Sequence, residues 1–168
     1  KTHAENILNV GIKRKKITEE KKLSVLSLIN TTTDFKDLSG CDLIVEAVFE
    51  DPKIKARVTK KAELIVDKDC IFATNTSTLP ITSLASASIR PEQFIGIHFF
   101  SPVDKMLLVE IIKGSATGSK AVAKALDYVR QIKKTPIVVN DARFFYANRC
   151  IIPYVNEGAM MVAEGVAP

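Results

Sequence analysis

The sequence predicts an α/β fold built on a mainly parallel sheet. Three observations carry that prediction. From residue 42 onward, short apolar runs alternate with helical segments. One run, DLIVEAV at 42–48, is almost uninterruptedly apolar, as a strand covered on both faces requires. Polar residues follow such runs directly: Glu50 and Asp51 after DLIVEAV, and Asn75, Thr76 and Ser77 after CIFAT. In open α/β sheets, ligands bind beyond the carboxyl ends of the strands.

Residues 3–16 and 18–29 read as two helices, with Thr18 a suitable N-cap for the second. LINTTT, 28–33, is a short strand candidate, and DLIVEAV is the first strong one. Asp51 caps a helix that has Pro52 at its first position and runs to about residue 66. CIFAT, 70–74, is a second buried strand. Pro80 opens a short helix to about residue 87. FIGIHFF and LLVEII are strands joined by SPVDK, whose Pro and Asp give it turn chemistry. Ser119 is read as the cap of a helix, and TPIVVN as the strand after it. From about residue 144 the chain reads as one long helix with a kink at Pro153.

Composition narrows the functional classes. Of 168 residues, 46% are apolar and 26% charged, the balance of an ordinary globular domain. No apolar stretch is long enough for a membrane span, and KTHAENILNV has neither the apolar core nor the cleavage site of a secretory leader. Three widely spaced cysteines, Cys41, Cys70 and Cys150, give neither zinc spacing nor disulfide pairing, so reduced thiols in an intracellular protein are expected. The net charge of +5 suits an anionic ligand. Aromatic residues do not interleave with the basic ones, so nucleic acid is not expected as a partner. The cluster Lys13, Arg14, Lys15, Lys16 is either a solvated helix face or a phosphate contact.

His98 and Glu110 carry the chemistry. Asp104 lies midway between them, so an antiparallel hairpin sets the two side chains opposite each other on one face. A carboxylate beside an imidazole fixes its tautomer, which makes a general base with its orienting partner. The same pairing also suits a buried His–Glu pair that only satisfies itself. By residue type alone, Ser77 also suits a turn cap, Asn148 a helix surface, and Glu50 and Lys55 the charged start of a helix. No G-x-G-x-x-G occurs in the chain, and the chain does not open on a strand. A dinucleotide-binding fold needs both.

Four segments, CDLIVEAVFED, ATNTSTLPIT, IGIHFFSPVDKMLLVEII and ANRCIIPY, occur in this order between residues 41 and 165. With them the chain resembles the L-3-hydroxyacyl-CoA dehydrogenase family, most of all the dehydrogenase region of its multifunctional fatty-oxidation members. The resemblance implies a partial Rossmann-type NAD-binding domain over 1–141, lacking its first strands and glycine turn. It implies the start of a helical C-terminal domain over 142–168.

The implied activity is NAD-dependent oxidation of L-3-hydroxyacyl-CoA to 3-ketoacyl-CoA in fatty-acid β-oxidation. His98 matches the catalytic histidine and Glu110 its orienting glutamate. Ser77 and Asn148 match the groups that hold the substrate oxygen. Glu50, Lys55, Ser77 and Ser101 match positions on the cofactor side. Ser101 stands where single-function members usually have asparagine, and DARFF, 141–145, where a Pro-Gly usually precedes the aromatic residue. The 3-hydroxyacyl-CoA substrate, self-association or β-oxidation complex subunits are the implied partners. A bacterial cytoplasm is the implied location, or a mitochondrion or peroxisome in a eukaryote. Without the glycine turn, the chain alone is expected to bind NAD poorly and to turn over no substrate. LINTTT and DLIVEAV are expected either to be covered by a neighbour or to pair directly. A noncatalytic CoA-ester-binding or subunit-contact module is the alternative.

Overall fold

The computed structural model describes residues 1–166, and they fall into two compact units, Lys1–Asp37 and the chain from Leu38 onward. The first unit holds helices α1 (Thr2–Lys13) and α2 (Glu19–Ser27). Thr18 caps α2 as expected, its side chain accepting the Lys21 N–H at 3.2 Å. Lys22 reaches Glu5 of α1 at 3.6 Å. The basic cluster is not a helix face. α1 stops at Lys13, and Lys15 turns the chain with φ 56°. The cations gather at the carbonyl end of the helix, where its dipole favours them.

LINTTT is not a strand. The Thr32 hydroxyl donates to Asp37 and accepts the Asp34 N–H at 3.0 Å. Such local bonds compete with an extended ladder. The direct pairing of LINTTT with DLIVEAV therefore does not form.

The second unit is a five-stranded sheet in the order β1 (Leu43–Glu46), β2 (Ile71–Thr74), β3 (Phe94–Phe99), β4 (Leu108–Lys113) and β5 (Thr135–Asn140). All neighbours are parallel except the β3–β4 hairpin. β1 is shorter than expected because the Glu46 carboxylate accepts the Val48 N–H at 2.7 Å and turns the chain. No strand pairs with its outer edge among the described residues.

Helix α3 (Pro52–Glu63) starts where expected: Asp51 accepts the N–H groups of Lys53 and Ile54 at 2.8 and 2.9 Å. Helix α4 (Ile81–Ala85) is short, and Asp141 accepts its Ile81 and Thr82 N–H groups at 3.0 and 2.8 Å. Helix α5 (Ser119–Gln131) is capped by Gly118, not by Ser119. The Gly118 N–H bonds the Glu92 carbonyl at 2.8 Å, and a Cβ there would sit 3.0 Å from that oxygen. Helix α6 (Ala147–Ala163) begins three residues later than expected, with Pro153 inside it.

Alternation along the strands separates two faces. Ile95, Ile97, Val109 and Ile111 pack with Ile71, Ala73 and the α5 residues Ala121, Ala125 and Val129 in one core. His98, Glu110 and Ile112 belong to the other face, with Gly96 beneath them. Among the described residues no helix is long and apolar enough to cross a membrane.

Candidate active site

The hairpin register pairs His98 directly with Glu110. Their side chains meet, His98 Nδ1 lying 2.9 Å from Glu110 Oε2. Both are buried, at 4% and 0% exposure. The Phe100 ring lies 4.4 Å from the imidazole and the Phe145 ring 6.2 Å, centre to centre. Glu110 Oε1 accepts the Tyr146 and Ala147 N–H groups at 3.0 and 2.8 Å. Those amides open α6, so a helix N-terminus rests on this carboxylate. Burial by itself would raise the Glu110 pKa. The bonds from His98, Ala147 and Tyr146 outweigh it and hold the carboxyl below its ordinary value.

Asn148 follows one residue into α6, and its side-chain N–H donates to the Ser77 carbonyl at 2.8 Å. Ser77 lies just past β2 and is exposed. Its own N–H bonds Glu50 Oε1 at 3.0 Å, and the Thr76 hydroxyl donates to the same oxygen. Glu50 Oε2 lies 3.1 Å from the Lys55 ammonium. Burial would raise the Glu50 pKa, but its bonds from Thr76, Lys55 and Ser77 bring it below the ordinary value. Lys55 itself is only 2% exposed and faces inward. Its ammonium also bonds Glu46 at 2.9 Å. Ser101 is exposed in the loop after β3 and joins none of these bonds among the described residues.

Six of the seven candidate residues thus fall into two bonded groups, His98–Glu110 and Asn148–Ser77–Glu50–Lys55, both tied to the start of α6 or to the strand ends. Two further participants are not among the candidates named from the sequence, although Asn75 stands in the polar run after CIFAT. Asn75 Oδ1 accepts the Phe99 N–H at 2.8 Å and ties the end of β2 to that of β3. Glu46 is the buried partner of Lys55; a glutamate inside the apolar run DLIVEAV was its only signal.

The departure at DARFF takes a definite form. Phe144 and Phe145 both have left-handed backbones, φ 65° and 56°. That costs roughly 1–2 kcal/mol for each non-glycine residue. Phe145 is 3% exposed against the imidazole, and Arg143 covers the Phe144 ring at 5.2 Å. A cleft lined by Val139, Asn140, Ala142, Phe145, Tyr146, Arg149 and Cys150 shares two residues with this site but not His98.

The model of the 3-hydroxyacyl-CoA dehydrogenase NAD binding domain matches residues 1–142. The fatty acid oxidation complex subunit alpha of Shewanella amazonensis is 42% identical over 165 residues, which are 98% of this chain and 23% of that protein. The (S)-3-hydroxybutyryl-CoA dehydrogenase of Ralstonia eutropha is 38% identical, with TM-score 0.92 over 96% of this chain and 57% of that one. The 3-hydroxybutyryl-CoA dehydrogenase of Escherichia coli is 30% identical, with TM-score 0.93 over 99% of this chain and 35% of that one. The chain spans about a quarter of the length of the curated relatives it matches. Over the greater part of its length, this chain belongs to the 3-hydroxyacyl-CoA dehydrogenase family through its NAD binding domain.

Proposed function

We propose that the protein oxidises L-3-hydroxyacyl-CoA to 3-ketoacyl-CoA with NAD, as a step of fatty-acid β-oxidation. The observation that carries this reading is the His98–Glu110 pair at the hairpin, beside the Ser77–Asn148 bond. With Glu110 ionised and taking the proton side of Nδ1, the imidazole keeps a lone pair on Nε2. Nε2 is then the base that takes the substrate's hydroxyl proton, and Glu110 stabilises the imidazolium that forms. The Ser77 hydroxyl and the Asn148 amide orient the substrate oxygen. NAD, when bound, supplies the hydride acceptor.

The donor set fits the nicotinamide end of that cofactor. Glu50 is an exposed, ionised acceptor suited to ribose hydroxyls, Lys55 supports it from within, and Ser77 and Ser101 are exposed on the same side of the strands. No residue described here is a pyrophosphate cradle of the G-x-G-x-x-G kind.

We assign residues 1–141 to the NAD-binding domain and 142–168 to the start of a helical domain. The family match ending at 142 supports this, as do the exposed Ile151, Tyr154, Val155 and Met160 on α6. Relatives are subunits of a fatty acid oxidation complex. The unpaired outer edge of β1 supports association with a second copy or with such subunits. The bacterial relatives support a cytoplasmic location.

The deciding experiment incubates the intact protein with L-3-hydroxyacyl-CoA thioesters of several chain lengths and NAD. Formation of NADH and 3-ketoacyl-CoA in equal amounts is the expected result. Tight binding of the thioester with no NADH would favour a noncatalytic CoA-ester module instead.

A further inference from the structure

Glu46 ends β1 with its side chain sealed from water, at 4% residue exposure. Among the described residues, three donors meet its carboxylate. Oε1 accepts from the Val48 N–H at 2.7 Å and the Lys55 ammonium at 2.9 Å. Oε2 accepts from Lys55 at 3.2 Å and the Thr74 hydroxyl at 2.8 Å. Lys55 passes the interaction outward, reaching Glu50 Oε2 at 3.1 Å and the Val48 carbonyl at 3.4 Å. Glu50 Oε1 then holds the Ser77 N–H and the Thr76 hydroxyl. Thr76 Oγ1 in turn accepts the N–H groups of Thr78 and Leu79 at 3.3 and 2.9 Å. The turn bound in this way offers the Ser77 carbonyl to Asn148.

Burying an ammonium this deeply is tolerable only when it is paired and hydrogen-bonded. Lys55 has three protons, and two carboxylates and a carbonyl receive them. An acceptor-only group suits the Glu46 position, because a carboxamide would point its own N–H groups at an ammonium or at another donor. With Glu46 neutral, Glu50 is the one carboxylate still paired with Lys55 among the described residues, and Lys55 is free to draw that side chain inward, away from Ser77.

We propose that Glu46 is a positioning residue: acting through Lys55 and Glu50, it sets the Thr76–Ser77 turn on which Asn148 rests. What the turn is for rests on the dehydrogenase reading; the linkage itself rests on the bonds just described.

The test compares Glu46→Gln and the double variant Glu46→Gln/Lys55→Met with the intact wild-type protein. Hydrogen exchange is followed at single amides, and kcat and KM for NAD are measured alongside. In Glu46→Gln the Ser77, Thr78 and Leu79 amides should exchange about tenfold faster or more. Amides of the β3–β4 ladder should keep their wild-type rates, and kcat should fall about tenfold or more. The double variant removes the buried charge together with its partner, so it should fold even if the single variant does not. It still leaves Glu50 without its cation, so the same three amides should stay fast. Wild-type exchange at Ser77 and Leu79 in the folded variants would overturn the proposal. So would a uniform rise across the whole sheet with normal turnover per folded molecule, which would make Glu46 merely structural. A wild-type protein that oxidises no hydroxyacyl-CoA defeats the dehydrogenase reading instead, and the exchange rates still decide the linkage.

Discussion

His98 and Glu110 stand opposite each other in the β3–β4 ladder, with Nδ1 2.9 Å from Oε2. The second carboxylate oxygen is occupied as well, by the Tyr146 and Ala147 amides. One carboxylate thus sets the imidazole on one side and seats the helix carrying Asn148 on the other. A single buried group therefore places residues from two separate elements.

On the proposed dehydrogenase reading, replacing His98 by Gln in the intact protein should lower kcat by about 10²–10⁴-fold, the usual contribution of a positioned base. The shape of the site is kept, so the cooperative thermal transition should remain. NADH formation under saturating substrate measures the first effect and calorimetry the second. Full activity in a folded His98→Gln protein would remove His98 from the mechanism.

Glu110→Gln should be at least as damaging, on the order of 10⁴ in kcat by analogy with another histidine whose carboxylate partner became an amide. The amide can still accept from α6 only by turning its N–H groups towards Nδ1, which forces the wrong tautomer. Stability should respond to pH in a specific direction. The folded carboxyl titrates below its ordinary value, so its bonds contribute fully above about pH 4.3. That contribution is lost as pH falls through the lowered pKa. Melting temperatures of wild type and Glu110→Gln, followed from about pH 7 to pH 3, should therefore converge in acid. Glu50 titrates in both proteins and cancels from the difference. A gap that stays constant to the acid end would show that Glu110 gains nothing from its ionised form.

Asn148→Ala removes the donor to the Ser77 carbonyl. The bond is exposed, so the stability cost should be modest, about 0.5–1.5 kcal/mol in a denaturant titration. The kinetic loss should be larger than that and should fall on kcat, because the amide is assigned to the reacting oxygen. A change confined to KM would place Asn148 in ground-state binding only.

Gly96→Ala should destabilise by about 1–3 kcal/mol, the range for an overfilled core. Gly96 pairs with Ile112, and a Cβ there would lie 2.8 Å from Ile81 Cδ1 and 3.0 Å from Ile112 Cβ. The Ile112 Cβ is fixed to the strand and cannot move aside. The strain falls two residues from His98, so activity should drop alongside the unfolding midpoint. An alanine tolerated without either change would mean that α4 is free to lift from the sheet.

Much of this was legible before any coordinates. The period of two and the turn chemistry of SPVDK put His98 and Glu110 on one face, and Asp51 and Pro52 announced the start of α3. β1, β2 and β3 run parallel, so the polar residues that follow them gather along one edge. LINTTT misled because β propensity says nothing about whether a partner strand is there, and Thr32 found local partners instead. Ser119 misled because the helix takes it as its first residue and sets Gly118 at the N-cap, where a Cβ would press on the Glu92 carbonyl at 3.0 Å.

The sequence by itself determined the α/β class, the hairpin pair and the edge where the candidate site residues gather, because strand period and helix caps are local properties. Only the tertiary structure decided that Glu46 and Thr74 meet across 28 residues, that Glu110 seats α6 across 37, and that Asn148 reaches Ser77 across 71. Those bonds depend on how each helix lies on the sheet, which packing of distant apolar faces sets and no local pattern encodes.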